Sequence, residues 1–92
     1  MAVTVKLPAQ LRDAAGGTTA AAVDGATVGE ALEALYAEHG ELRERLADGD
    51  GALRRFVNVY LGGEDIRFLD GLDTPLADGD EVTILPAVAG GG

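Results

Sequence analysis

The chain has 92 residues, 47% of them apolar and only 4% aromatic, so one modest core built from Val, Leu, Ile and Ala is expected, with no internal repeats. Sixteen acidic residues against 7 basic ones leave a formal net charge of -9, which repels phosphate backbones and anionic lipids and favours a basic partner surface. Cysteine is absent, which excludes disulfides and thiolate chemistry, and neither a secretion signal nor a long apolar run is present, so a soluble cytoplasmic protein without nucleic-acid or membrane partners is expected.

In chain order, Val3, Val5 and Leu7 alternate with Thr4 and Lys6, which predicts a half-buried strand stopped by Pro8. Asp13 to Gly17 reads as a turn or loop, and Thr18 to Asp24 as a weaker second strand. Thr27 with Glu30 forms a capping-box pattern ahead of Val28, Ala31, Leu32, Leu35 and Tyr36, which recur at helical spacing. Gly40 stands where a left-handed helix cap is expected, and Gly29 inside the first turn suggests the close approach of another backbone. A short second helical turn follows, with Leu42 and Leu46 facing the core.

Phe56 to Leu61, Gly62-Gly63 and Glu64 to Leu69 have the form of a hairpin, because adjacent glycines supply the positive backbone angles that primed turns require. Turns are expected around Asp70-Gly71 and Asp78-Gly79. Glu81 to Pro86 is the last strand, with Val82 and Ile84 inward and Leu85 a further candidate for the core. One helix can cover only one face of a sheet, and the long connection between first and last strands permits a parallel pair in the middle. The expected fold is α+β, a ubiquitin-like β-grasp: a mixed sheet of four to five strands, one main helix on one face, a domain over residues 1–86 and a flexible Gly-rich tail over 87–92.

The carboxylates cluster as Asp48/Asp50, Glu64/Asp65, Asp70/Asp73 and Asp78/Asp80, mostly beside glycine, where Asp bonds its own backbone in turns. Calcium-loop spacing is missing, and phosphate-loop spacing is missing around every glycine pair. His39, the one histidine, lies near a helix end where a cation suits the dipole, and it has no Cys or second His to share a metal. Arg54 and Arg55 precede a strand, so one is expected to pair with a carboxylate while the other is exposed. Neither a bound cofactor nor a metal site is expected.

The remaining feature is the ending, Gly90-Gly91-Gly92. Three glycines bury nothing and lose the most backbone freedom on ordering. Two readings stay open: disordered padding, or a slender backbone that threads a narrow channel and presents an unhindered carboxylate to another enzyme.

The motifs Phe56-Val57-Asn58-Val59-Tyr60, Glu64-Asp65-Ile66-Arg67-Phe68, the ending from Leu76 to Gly91, and Lys6 to Arg12 resemble the ThiS/MoaD sulfur-carrier family nearly end to end, especially its cysteine-biosynthesis branch. The resemblance implies a protein co-substrate, not an enzyme. A ubiquitin-activating-type adenylyltransferase would use ATP and Mg²⁺ to adenylate the terminal glycine, and a sulfur donor would convert it to a thiocarboxylate. The acceptor would be a PLP-dependent cysteine synthase or another biosynthetic enzyme, with a metallopeptidase as a further partner. Gly92 is then the reactive residue, or Gly91 if the chain is trimmed, since the family pattern ends at two glycines. Gly90 and Gly91 would thread into the partner, and Phe56, Asn58, Tyr60 and Phe68 would dock it. The alternatives are a ubiquitin-like modifier joined to lysines, the small subunit of molybdopterin synthase, or the thiazole-forming carrier of thiamin synthesis.

Overall fold

The alternating Val residues at the amino end form β1 (Ala2–Lys6), with Val3 and Val5 buried and Lys6 outside. The computed structural model describes residues 2–47, 53–54 and 57–86. After β1, Leu11, Ala14 and Ala15 are drawn into the core by two 3-10 turns, Ala9–Leu11 and Asp13–Ala15, the second lying within the turn or loop expected from Asp13 to Gly17. Next come β2 (Ala20–Asp24), α1 (Val28–Glu38), α2 (Gly40–Leu46), β3 (Val57–Leu61), β4 (Glu64–Asp65) and β5 (Glu81–Pro86). The sheet order is β2-β1-β5-β3-β4, with β1 and β5 parallel in the middle and all other pairs antiparallel. Val82 and Ile84 are fully buried against α1 and α2, whose Leu35 and Leu42 are fully buried in turn.

The predicted cap of α1 is present in modified form. Thr27 Oγ1 accepts from the Glu30 N–H at 3.2 Å, while the Glu30 carboxylate reaches the N–H of Ala26, one residue before the cap. A second free helix donor, the Val28 N–H, is taken by the Thr74 carbonyl at 3.0 Å, and Leu76 N–H returns to the Ala26 carbonyl at 2.9 Å. Residues 72–76 thus form a strap over the start of α1. Gly29 permits it: an added Cβ would lie 3.1 Å from the Leu72 carbonyl oxygen. Gly25 is tighter still, since a Cβ there would lie 2.5 Å from the Ala31 backbone nitrogen.

Three expectations change. Gly40 is not a left-handed cap; His39 leaves the helical region (φ -133°), ends α1 through its N–H to the Leu35 carbonyl, and its own carbonyl accepts from Leu42, so Gly40 begins α2. The hairpin turn is as predicted, with φ of 59° at Gly62 and 90° at Gly63, but its second arm stops at Asp65. There the Asp65 carboxylate accepts from the Arg67 N–H at 2.9 Å, and this local bond replaces the ladder with a 3-10 turn, Ile66–Phe68. Leu85 points away from the core and is 44% exposed, as strict alternation with Val82 and Ile84 requires.

Arg43 fixes the corner between the helices: its guanidinium lies 5.1 Å from the Tyr36 ring centre and donates to Glu33 at 2.6 Å. Burial, then the charge of Glu33, pushes the Tyr36 phenol up to about 12, with Arg43 opposing. Folding favours the neutral phenol, so its stabilising contribution is complete below the ordinary value of 10 and is lost as pH rises towards about 12. Alkaline unfolding followed by circular dichroism should therefore show a loss of stability across that window which Tyr36→Phe flattens. Gly25→Ala should cost about 2 kcal/mol in urea unfolding, because backbone receives the clash. Gly29→Ala should change stability by less than about 0.5 kcal/mol, since a milder contact is offset by better helix propensity.

Candidate functional site

Strand alternation divides the sheet into two faces. Val57 and Val59 of β3 enter the core, so Asn58 and Tyr60 lie on the other face, half-buried among their neighbours. Register places Leu85 opposite Asn58 and Thr83 opposite Tyr60, giving one outer surface across β3 and β5. Pro86, the last described residue, pairs with Val57 at one end of this surface.

The turn after β4 completes it. The Arg67 guanidinium donates to the Asn58 side-chain oxygen and to both Asp65 carboxylate oxygens, at 3.3 Å from Nε and 3.2 Å from a terminal nitrogen. Hydrogen bonds from the Arg67 side chain, then from its backbone, hold the Asp65 carboxyl below the usual carboxylate range. Phe68 follows Arg67 directly and is 84% exposed, an unusual position for an aromatic side chain of a small domain. Of the expected docking residues, the structure brings Asn58 and Tyr60 onto one face and holds the Phe68 turn beside them through Arg67. Phe56, Gly90, Gly91 and Gly92 lie outside the described residues, as does Arg55.

Sequence reasoning missed Leu85, Arg67 and Asp65 as members of this surface. The signal for Leu85 was available in the period-two pattern; the Asp65–Arg67 link follows from the Asx-type turn, which needs the turn's geometry to be known. Among the described residues Arg54 pairs with no carboxylate; its Nε and a terminal nitrogen both donate to the Glu44 carbonyl, at 3.1 and 2.9 Å, closing the end of α2.

Asp65 and Asp80 bond their own turns as expected, accepting from the Arg67 and Ala77 N–H groups. Asp78 instead accepts from the Ala2 N–H, far away in sequence, and ties its turn to the start of β1. Among the described residues no group of three or more His, Asp or Glu side chains could hold a metal ion. No helix among them is long and apolar enough to cross a membrane.

Comparison with known proteins agrees with this fold. The sequence model of the ThiS family matches residues 5–91. The chain is 50% identical over 93 residues to the sulfur carrier protein CysO of Mycobacterium tuberculosis, covering 99% of this chain and 100% of that protein. A chain of the Amycolatopsis orientalis BexX/CysO complex superposes with a TM-score of 0.88 at 44% identity, covering 96% of this chain and 98% of that one. SAMP1 from Haloferax volcanii superposes with a TM-score of 0.85 at 36% identity, covering 98% and 99%. These relatives are named as small carriers and modifiers and not as enzymes. The architecture is their ubiquitin-like β-grasp, and with a family match over nearly its whole length the chain belongs to the ThiS family.

Proposed function

We propose that this protein is a sulfur carrier whose terminal glycine carboxylate, on Gly92 or on Gly91 after loss of one residue, is activated and converted to a thiocarboxylate. The observation that carries the reading is the whole-chain identity of 50% to a sulfur carrier, joined to a side-chain-free sequence, Gly90 to Gly92, that follows from a central strand. The carboxylate attacks the α-phosphate of ATP in a ubiquitin-activating-type partner, and pyrophosphate leaves with Mg²⁺ balancing its charge. Sulfide then attacks the acyl carbon, the C–O bond to AMP breaks, AMP leaves with the bridging oxygen, and the terminal carbon keeps the sulfur as a thiocarboxylate. Glycine suits this step because its α-carbon is unhindered and has no configuration to lose. The carrier binds no cofactor of its own.

The outer surface of Asn58, Tyr60, Leu85 and Phe68, together with Phe56, is the docking face for the activating enzyme, because it adjoins the strand end from which residues 87–92 continue. That a related CysO has been crystallised in complex with BexX supports use of a protein partner. The acceptor we favour is a PLP-dependent cysteine synthase, with a metallopeptidase releasing the product. Similarity to SAMP1 supports a second reading, a modifier joined to lysines on other proteins. Its one lysine, Lys6, lies 3.4 Å from Glu81 in an exposed ion pair and gives the chain little capacity for self-conjugation.

Incubation with the adenylyltransferase, ATP, Mg²⁺ and sulfide should raise the intact mass by about 16 Da, the exchange of oxygen for sulfur at an activated acyl carbon. A chain lacking Gly91 and Gly92 should show no gain, and gain in that truncated chain contradicts the proposal. Recovery of glycine remnants on cellular lysines, without free thiocarboxylate, favours the modifier. Phe68→Ser and Leu85→Ser, both at exposed positions, should leave stability within about 0.5 kcal/mol while slowing activation about tenfold. Activation of both variants at the rate of the parent protein would remove this face from the docking site.

A further inference from the structure

We propose that the free edge of β2, with the groove between it and α1, docks an extended basic strand of a partner protein. The site lies across the sheet from β3 and β4, and its occupation does not depend on the chemistry of the terminal glycine.

β2 ends the sheet on one side, so its far edge has no strand beside it among the described residues. The Leu7 N–H donates to the Thr19 carbonyl at 2.9 Å, which sets the phase of the antiparallel ladder. In that phase residues 19, 21 and 23 bond β1, and Ala20, Ala22 and Asp24 direct their N–H and C=O groups outward. None of these outward groups makes another hydrogen bond among the described residues.

Free edges are usually blunted by lysine, proline, a bulge or brevity. The opposite edge follows that rule, since β4 has two residues and bends into a 3-10 turn. β2 does not: the sequence Ala-Ala-Ala-Val-Asp pairs with β1 in unbroken register over all five residues.

Next to this edge runs a groove of about 260 Å³ lined by Ala22, Val23, Asp24, Ala34, Ala37 and Glu38. Methyl side chains on α1 leave room for an apolar side chain of an added strand. Its two charged residues are carboxylates, and no basic residue lines it. A second copy of this chain would bring the same carboxylates and the same net charge of -9. A foreign strand that alternates basic and apolar residues matches both the hydrogen-bonding edge and the charge.

The test is titration of isotope-labelled full-length protein with an acetylated Lys-Val-Lys-Val-Lys-Val amide, followed by NMR. Shift changes should concentrate at Ala20, Ala22, Asp24, Ala34 and Ala37, with slower amide exchange at Ala22 and Asp24. Ala22→Pro should abolish binding with the fold intact, because the N–H it removes is an outward one. Should that variant unfold by circular dichroism, the doubly charge-reversed Asp24→Lys, Glu38→Lys protein decides, with binding weakened about fivefold. Shifts spread over all acidic surfaces, equal binding of the Glu-Val analogue, or self-association through residues 20–24 in place of peptide binding would each overturn the proposal.

Discussion

The parallel pairing of β1 with β5 is the constraint on which the rest of the structure depends. Val5 and Val82 face each other across it, both fully buried. It joins the two ends of the sequence, so the intervening chain must form outward from it: β2 on one flank, β3 and β4 on the other, the helices across the inner face. Such pairing closes a long loop before it gains stability, and local elements such as α1 and the β3–β4 turn can form without it. Once made, it places the last described residue at the middle of the sheet, away from both edges.

Closing that loop leaves residues 72–76 to cross from β4 back to β5, and they do so over the start of α1. The strap turns a connection into a structural element. Its Thr74, nearly fully buried, accepts from the Asp70 N–H through Oγ1 and donates to the Gly71 carbonyl, while its own carbonyl serves Val28. Helix start and strap therefore share polar groups, and the Val28 N–H, which has no partner within the helix, is satisfied by the strap. Gly29 lies against Leu72 of the strap, while Gly25 lets the chain entering α1 pass close to the helix backbone at Ala31.

Much of this was legible in the sequence because it is periodic. The alternation of Val3, Val5 and of Val82, Ile84, the helical stripe from Val28 to Tyr36, and the Gly62-Gly63 turn carry their geometry in local spacing, while a docking role for Asn58, Tyr60 and Phe68 belongs to the proposed function. What failed depended on competition between local and distant bonds. His39, and not Gly40, ends α1 because a new helix starts at once, and the arm after Gly63 is short because Asp65 bonds the backbone beside it. Gly25 gives no signal in the chain, since its neighbour Ala31 becomes close only when the helix turns back. Leu85 was misread by weighing its size above its phase.

The same phase divides labour between the two sides of the sheet. Inward positions of β3 and β5 are aliphatic and hold the domain together; outward positions carry Asn58, Tyr60, Thr83 and Leu85, which contribute little to the core and are free to be specified by a partner. Leaving Phe68 in water forgoes burial worth roughly 1.5 to 3 kcal/mol, and the half-exposed Leu85 forgoes about half as much, a loss a partner surface can recover on contact. Charge reinforces the dependence on that partner. A body with net charge -9 repels the triphosphate that would activate its carboxylate, so under the proposed function the chain cannot gather its own reagent, and a partner with the opposite potential must bring protein and nucleotide together.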